Sequence, residues 1–296
     1  MEKSILSYPD RGPWGNPRYR GNASGRLYKD LFELLRPGLF VDPMAGSGTS
    51  LEVAREMGIR AVGLDLKDGF DILRKSILEV VGEPADLVFS HPPYHDMIVY
   101  SGKVWGDRPH PSDLSRAGSV EEFADKLHQA VLNQREATKG GGHYGVLIGD
   151  LRRKGRYYSF QAELVARLPA DELVAVLIKE QHNVSSAGTS YRLRYPRILH
   201  EYVLLWRKRE RGVYQLLATM ATAQKRRLSG TWRALVRQAL VAHGGVMRLE
   251  ELYRALEEGA PEKVRANPNW TAKIRQTLQR YADFEPRARG VWALAA

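Results

Sequence analysis

The chain of 296 residues contains no cysteine. It therefore cannot form disulfide bonds, thiolate metal sites or a cysteine nucleophile. No apolar run approaches the roughly 20 residues that a membrane span requires. The first residues, MEKSILSYPDRGPWG, lack the apolar stretch of a signal peptide. His110, His128 and His143 show no ligand-like spacing with one another. We therefore expect a soluble, cytoplasmic protein with no membrane partner and no metal.

Positive charge is concentrated in the last third of the chain. Of the net charge of +11, residues 207–296 carry +10 and residues 1–206 carry only +1. A basic module beside a nearly neutral one suggests that the tail binds a polyanion while the front performs chemistry. A solubility surface or an arginine-rich genome is the alternative, but arginine bias alone would not segregate the charge so sharply.

The first two-thirds of the chain alternates strand-like apolar runs with helical patterns. This alternation predicts a parallel, doubly wound α/β sheet of the Rossmann-like type over residues 1–206. Such sheets bind ligands at the carboxyl ends of their strands, near a topological switch point. The predicted strands are 39–41, 61–64, 87–89, 144–148, 173–178 and 198–206, and the predicted helices are 24–35, 51–57 and 120–137.

The remaining residues form a basic linker, 207–228, and a small domain, 229–296. Helical patterns over 231–242, 249–256 and 270–281 precede a strand-like end, as a winged helix-turn-helix requires. The third helix places Ile274 and Leu278 on one face. Lys273, Gln276 and Arg280 lie away from it, as on a recognition helix that contacts DNA. A basic helical appendage for dimerisation is the alternative interpretation.

A glycine-containing turn, residues 42–50 (DPMAGSGTS), follows the first predicted strand and opens a helix. Gly46 and Gly48 would let backbone amides approach a ligand closely at the helix N-terminus. This turn alone fits any nucleotide, or a purely structural role, but it is not a P-loop because no Gly-Lys-Ser/Thr follows. Asp65, after the next strand, is placed to accept hydrogen bonds from ribose hydroxyls, although a helix cap is equally compatible.

A second motif, Ser-His-Pro-Pro-Tyr at residues 90–94, follows the third predicted strand. Two consecutive prolines fix an extended turn and remove two backbone donors, which leaves carbonyl groups free to accept. An acceptor side chain, a free carbonyl and an aromatic face together could hold a planar, amine-bearing ring. Taken alone, the segment is better explained as a rigid turn with an ordinary core tyrosine.

Together these motifs resemble those of the amino-methylating DNA methyltransferases. Residues 42–49 are similar to the family's cofactor motif, Asp-Pro-Phe-x-Gly-Ser-Gly-Thr, and residues 91–94 to its catalytic Asp/Asn/Ser-Pro-Pro-Tyr. Residues 21–24 resemble the preceding cofactor-binding segment, and 200–202 a late strand. The motif order is that of the gamma-type enzymes. The resemblance covers about residues 15–206, and the tail resembles winged-helix modules of some restriction and chromatin proteins.

The resemblance implies S-adenosyl-L-methionine as cofactor and direct, in-line transfer of its methyl group, without a covalent intermediate. Tyr94 would stack on a base flipped out of the duplex, while His91 and the Pro92 carbonyl accept hydrogen bonds from its amino group. The implied catalytic residues are His91, Pro92, Pro93 and Tyr94. The implied cofactor-binding residues are Asn22, Ser24, Asp42, Pro43, Met44, Ala45, Gly46, Ser47, Gly48, Thr49, Asp65, Phe70, Asp71 and Ile72.

His91 departs from the family pattern and leaves the target, adenine N6 or cytosine N4, undecided. A histidine accepts a hydrogen bond only through one ring nitrogen of its neutral form. An unperturbed histidine is half-protonated near pH ~6.5, so the sequence predicts that methyl transfer falls below neutral pH.

The expected function is thus site-specific methylation of double-stranded DNA, with a restriction endonuclease as a candidate partner. Gln181, His182 and Asn183 end a predicted strand and are expected at the DNA or the flipped base. The basic run 152–156 could follow phosphates, or it could simply be solvated. Two alternatives stay open: an RNA or protein-amide methyltransferase, and a DNA-binding regulator whose methyltransferase fold senses the cofactor.

Overall fold

The computed structural model describes residues 3–182, 195–210 and 232–295. It contains two compact units, Met1–Gly212 and Val213–Ala296. Asn183 and residues 211–228 of the predicted linker lie outside the described residues. Among the helices of the described residues, none is both long and apolar enough to cross a membrane.

The first unit is built on a seven-stranded sheet. The strands of the unit are β1 Ile5–Ser7, β2 Leu39–Asp42, β3 Arg60–Gly63, β4 Ala85–Ser90, β5 Thr138–Ile148, the hairpin strands β6 Leu151–Arg153 and β7 Arg156–Tyr158, β8 Leu173–Glu180 and β9 His200–Arg207. The seven strands of the sheet occur in the order β1-β8-β9-β5-β4-β2-β3. Strand β9 runs antiparallel to its neighbours β5 and β8, and all other neighbouring strands are parallel. The predicted doubly wound α/β class is confirmed.

Helices cover both faces of this sheet. Alternate residues of a strand point to opposite faces, so Phe89 of β4 packs in one core and Val88 in the other. The helices are α1 Gly25–Leu35, α2 Thr49–Glu56, α3 Ile77–Val81, α4 Val120–Ala137 and α5 Phe160–Arg167. One core is completed by α1 and α2, and the other by α3, α4 and α5.

Local sequence signals explain where the longer elements begin. The hydroxyl of Ser24 accepts from the Arg26 amide and caps α1, and that of Ser119 accepts from the Glu122 amide and caps α4. Helix α4 occupies the predicted residues 120–137. Arg207, the first residue of the predicted linker, belongs to β9 and pairs with His143. The sequence patterns did not predict β1, β6, β7, α3 or α5, which are short elements.

The strand order places a switch point beside β2. Strand β3 lies on one side of β2, and the chain then crosses over so that β4 lies on the other side. The carboxyl ends of these three strands lead into Asp42, Asp65 and His91. The sheet therefore brings together the three residues that the sequence motifs placed at strand ends.

The second unit combines helices with a three-stranded antiparallel sheet. Its elements are α6 Trp232–Ala242, β10 Val246–Arg248, α7 Leu249–Gly259, α8 Pro261–Arg265, α9 Trp270–Arg280, β11 Phe284–Ala288 and β12 Val291–Leu294. The strands occur in the order β10-β12-β11. The core of this unit contains Leu240, Leu252 and Ile274, among others. All three predicted helices are present, and α8 and β10 are additional.

Candidate active site

The turn between β2 and α2 is organised by Asp42. One oxygen of its buried carboxyl accepts from the Met44 amide at 3.0 Å, and the other accepts from the Ser50 hydroxyl at 2.6 Å. Gly48 caps α2 at φ 85°, a left-handed conformation that favours glycine. Burial raises the pKa of Asp42 to about 7, with a further contribution from nearby Asp65.

Asp65 connects the end of β3 to the same turn. Its carboxylate accepts from the Gly46 amide at 2.8 Å and from the Lys67 amide at 3.0 Å. Thus Asp65 both lines the site and helps to hold the glycine turn in place. Thr49 extends the connection, because its hydroxyl donates to the side-chain oxygen of Asn22 at 2.6 Å.

These residues line a cleft of about 820 Å³, part of it open to solvent. Of the predicted cofactor residues, Ser24, Gly48 and Asp71 are not among its lining residues. Ser24 caps α1, Gly48 caps α2, and the Asp71 carboxylate accepts from the Ser112 hydroxyl at 2.6 Å. The predicted cofactor residues that do line the cleft are Asn22, Asp42, Pro43, Met44, Ala45, Gly46, Ser47, Thr49, Asp65, Phe70 and Ile72.

A wall of the cleft comes from a segment that the sequence motifs did not identify, residues 98–117. It contributes Tyr100, Trp105, Ser112, Asp113 and Leu114 to the lining. Its regular secondary structure is limited to a bridge between Ser101 and Trp105 and a single 3-10 turn at Leu114–Arg116. No motif marked this segment, and only its aromatic residues between two polar runs could have drawn attention to it.

A second unpredicted wall residue is Tyr19, which lies over the glycine turn. A β-carbon on Gly46 would come within 3.2 Å of the Tyr19 ring, so the close approach and the φ of 52° both require glycine there. The rings of Tyr19 and Tyr100 lie 6.4 Å apart, centroid to centroid. They form an aromatic margin of the cleft.

The cleft carries acidic charge without a matching cation. Among the described residues, those that line it include three carboxylic acids, Asp42, Asp65 and Asp113, and no lysine or arginine. The described part of the chain has no cluster of His, Asp or Glu that could hold a metal ion. The cleft is therefore suited to an organic ligand that carries positive charge.

Two residues of the second motif, His91 and Pro93, also line this cleft. Nε2 of His91 lies 2.8 Å from the hydroxyl of Tyr94, and that hydroxyl donates to Glu201 Oε1 at 2.7 Å. Burial lowers the pKa of His91 to about 4, against an opposing effect of Glu201. The ring is therefore neutral at physiological pH, which removes the predicted loss of activity just below neutrality.

Tyr94 and Pro92 are placed differently from the predicted stacking and accepting groups. Neither is among the lining residues, and Pro92 is buried. The Tyr94 ring packs so closely on Gly149 that a β-carbon there would lie 2.6 Å from the ring. Its hydroxyl is engaged by Glu201. The ring is held by packing and hydrogen bonding at the end of β5, and a stacking role would require it to move.

The predicted DNA-contacting residues fall into two groups. In the first unit, the side-chain amide of Gln181 donates to Glu201 Oε1 at 2.6 Å, and Nε2 of His182 lies 2.9 Å from the Ser7 hydroxyl. Asn183 lies outside the described residues. In the second unit, Lys273, Gln276 and Arg280 are exposed on α9, and Lys273 donates to Gln276 at 2.8 Å.

The basic run 152–156 forms the hairpin of β6 and β7. Arg153 within it forms an ion pair with Asp96, just after the second motif. The guanidinium of Arg152 lies over the rings of Tyr157 and Tyr195, at 5.4 and 4.8 Å from their centroids. These two arginines are therefore engaged with the protein itself.

Comparison with known proteins does not identify a family. No family model matches the chain, and no curated protein matches it. Among solved structures, similarity extends to TrmN from Thermus thermophilus, with 17% identity over 64% of this chain and 50% of that one, TM-score 0.36. It extends also to a candidate DNA modification methylase from the same organism, with 18% identity over 65% of this chain and 59% of that one, TM-score 0.27.

A third similar structure is human N-acetylserotonin methyltransferase in complex with SAM, with 14% identity over 63% of this chain and 52% of that one, TM-score 0.35. The chain spans only half to three-fifths of the length of these three proteins. At these identities and TM-scores, the similarity specifies neither the family nor the substrate of this chain.

Proposed function

We propose that this chain is an S-adenosylmethionine-dependent methyltransferase that acts on an exocyclic amino nitrogen of a DNA base. The observation that carries the proposal is the cleft at the switch point. It joins an acidic, aromatic-walled cavity without lysine or arginine to a neutral histidine at the end of β4. The glycine turn meets His91 and Pro93 of the second motif in that cleft.

The chemistry of the cleft fits S-adenosylmethionine better than a phosphate-bearing nucleotide. A dinucleotide would bring negative phosphates beside Asp42 and Asp65, where the lining residues provide no cationic side chain. The sulfonium and ammonium groups of S-adenosylmethionine are positive, and they would favour the ionised form of Asp42. Asp65 would accept from the ribose, and Phe70 and Ile72 would flank the adenine.

When bound, S-adenosylmethionine supplies an electrophilic methyl group, and the electron pair of the broken carbon–sulfur bond remains on sulfur. The protein must then orient the amino nitrogen and take up the proton that this nitrogen releases. His91 is suited to both tasks because it is neutral and its Nδ1 forms no hydrogen bond within the described residues. Adenine N6 and cytosine N4 both meet these requirements.

The second unit supports a DNA substrate. Its residues, Val213–Ala296, contain 14 Lys+Arg and 7 Asp+Glu, and this net charge of +7 suits a polyanion. The element order α6-β10-α7-α8-α9-β11-β12 is compatible with a winged helix-turn-helix in which α9 contacts base edges. We propose that Lys273, Gln276 and Arg280 on its exposed face contact DNA, and that a restriction endonuclease is a candidate partner.

Expression in a host that lacks DNA methylation, followed by single-molecule sequencing of host DNA, tests the proposal. We expect one sequence motif to carry methyl groups on adenine N6 or cytosine N4. His91→Ala, expressed at the same level, is the matched control and should leave the DNA unmodified. The modified base identifies the target directly.

Purified protein separates the alternatives. Tritium transfer from labelled S-adenosylmethionine to DNA, RNA or protein fractions identifies the acceptor, with His91→Ala again as the control. Transfer to RNA or protein alone would replace DNA as the substrate. Cofactor binding by calorimetry without transfer to any acceptor would indicate a DNA-binding regulator, and absence of cofactor binding would contradict the proposal as a whole.

A further inference from the structure

Two opposite charges are buried side by side behind the second motif. Lys179 of β8 and Glu201 of β9 are each more than nine-tenths buried, and Lys179 Nζ lies 2.8 Å from Glu201 Oε2. Taking two charges out of water costs free energy of solvation, and replacing a buried ion pair by well-packed apolar residues is often neutral or stabilising. The neighbouring positions of both strands are mostly apolar, which makes the pair unusual in its setting.

The position of Glu201 results from the direction of β9. This strand runs antiparallel to β5 and β8, so its first residues lie at the edge where the parallel strands end. Glu201 therefore reaches the group of side chains that follows β4. Its Oε1 accepts from the Tyr94 hydroxyl at 2.7 Å and from the Gln181 amide at 2.6 Å.

These contacts determine which group donates in each hydrogen bond between Glu201 and His91. Attraction by Lys179 and hydrogen bonds from Lys179 and Tyr94 oppose the cost of burial and lower the pKa of Glu201, so it is an ionised carboxylate that only accepts. The single hydroxyl proton of Tyr94 must then point to Glu201. Toward His91, 2.8 Å away, the phenol oxygen can only accept, so Nε2 of His91 carries a proton and donates.

We infer that Glu201 is a positioning residue that acts through the Tyr94 hydroxyl to set which nitrogen of His91 carries the proton. With the proton on Nε2, a neutral ring presents the lone pair of Nδ1, the acceptor that the proposed methyl transfer needs. The role of this arrangement in methyl transfer rests on the proposed function, but the positions of the protons can be measured without substrate or cofactor.

Glu201→Gln provides a sharp test because the new amide must choose an orientation. Lys179 Nζ requires an oxygen at its position, so the amide nitrogen would face both Tyr94 and Gln181. It would donate to the phenol oxygen, and the side-chain amide of Gln181 would turn to present its oxygen. The Tyr94 proton would then turn to His91 Nε2, and the ring proton would move to Nδ1. The substitution should therefore reverse the tautomer of His91 while changing few atoms.

Nitrogen-15 NMR of the histidine rings in the full-length protein reads the tautomer directly. The His91 signals are assigned by their absence from the spectrum of His91→Asn. We expect the Nε2–H form in the wild type at pH 7.5 and the Nδ1–H form in Glu201→Gln. Glu180→Gln, which removes an exposed carboxylate from β8, is the matched control and should retain the Nε2–H form.

A Tyr94→Phe background tests whether the effect of Glu201 on His91 passes through the Tyr94 hydroxyl. Without the phenol oxygen, Glu201 has no hydrogen-bonded connection to His91, so adding Glu201→Gln to Tyr94→Phe should leave the tautomer unchanged. A wild-type Nδ1–H form, or an unchanged tautomer in folded Glu201→Gln, would overturn the inference. If Glu201→Gln does not fold, the wild-type spectrum still decides, because a mixture of tautomers or the Nδ1–H form is incompatible with the arrangement.

Activity then connects the tautomer to the reaction. A carboxylate-to-amide change that leaves a catalytic histidine in the wrong tautomer lowers turnover about 10⁴-fold in serine proteases. By analogy, we expect Glu201→Gln to lower the rate of methyl transfer by at least about 100-fold and to leave the affinity for the cofactor unchanged. A reversed tautomer with undiminished transfer would overturn the positioning role. A wild type without transfer to any acceptor would contradict the proposed function and leave the NMR result standing.

Discussion

At the scale of single residues, the properties of His91 depend on its surroundings. An isolated histidine would be largely protonated at pH 5.5, where it could not accept a hydrogen bond. Burial beside β4 lowers the pKa of His91 to about 4. A group with a lowered pKa stays neutral until the pH approaches that lower value, so the acceptor persists in mildly acidic solution.

The first prediction is therefore that protonation of His91 does not lower the rate of methyl transfer in mildly acidic solution. Single-turnover methyl transfer, at saturating cofactor, should be independent of His91 protonation from pH 5.5 to 8.5, since its pKa is about 4. The control is His91→Asn, which keeps an amide acceptor and should retain some activity. An acid limb near pH ~6.5 that is present in the wild type and absent from His91→Asn would show that the histidine titrates normally.

Asp65 leads to the second prediction. Because it faces the cleft and also accepts from the Gly46 amide, Asp65→Ala should weaken S-adenosylmethionine binding by about 1–3 kcal/mol. Isothermal calorimetry measures the loss. Asp68→Ala, which removes an exposed acid from the same turn, should bind normally. Equal affinities of the two variants would place the ribose contact elsewhere.

At the scale of elements, residues 98–117 are shaped by one buried acid rather than by regular secondary structure. Asp113 accepts from both the amide and the hydroxyl of Ser101, at 2.7 and 2.6 Å. It accepts likewise from the amide and hydroxyl of Ser115, at 2.8 and 2.6 Å. Four donors on one carboxylate hold this segment as a wall of the cleft.

The third prediction concerns that wall. Asp113→Ala would leave several buried donors without an acceptor, each at a cost of about 1–3 kcal/mol unless water replaces it. We expect the free energy of unfolding to fall by about 2–4 kcal/mol and cofactor affinity to fall with it. Urea unfolding and calorimetry provide the measurements. Asp107→Ala, in an exposed part of the segment, should match the wild type; similar losses in both variants would contradict the role of Asp113.

Helix α9 carries the fourth prediction. Its exposed Lys273 and Arg280 are proposed to contact DNA. With each cation neutralising one phosphate beside the base edges that α9 reads, replacing both with glutamine should reduce the slope of log binding constant against log salt by about 2. Fluorescence anisotropy with duplex DNA measures the slope. The control is Arg254→Gln on α7, an exposed cation off α9, which should change the slope much less. Equal effects would indicate non-specific attraction.

At the scale of the whole molecule, chemistry and charge are divided between two units. The cleft is built within the first unit, whereas the second unit, Val213–Ala296, contains 14 Lys+Arg and 7 Asp+Glu and so holds +7 of the +11 net charge. This division predicts that binding of cofactor and binding of DNA can be separated. The division follows from composition and folding together, because each unit has its own hydrophobic core.

The fifth prediction follows from that division. Removal of residues 229–296 should leave S-adenosylmethionine affinity unchanged, weaken DNA binding and flatten its dependence on salt. Calorimetry and anisotropy on the truncated chain measure the two affinities. A truncated chain that binds DNA as tightly, with the same salt slope, would assign the second unit to assembly instead.

The sequence by itself determined the α/β class, the longer helices and the strand ends that carry Asp42, Asp65 and His91. These features depend on local periodicity, caps and turn residues, which act over a few neighbouring positions. The segregation of charge was likewise evident from composition alone.

Only the tertiary structure decided which other residues join the site and which protonation state the residues of the site adopt. Glu201 lies 107 positions from its partner Tyr94, and the segment with Asp113 had no motif to mark it. The neutral state of His91 depends on how deeply the fold buries its ring. Burial and hydrogen-bond direction arise from strands that are distant in sequence and adjacent in the sheet, so no local pattern could specify them.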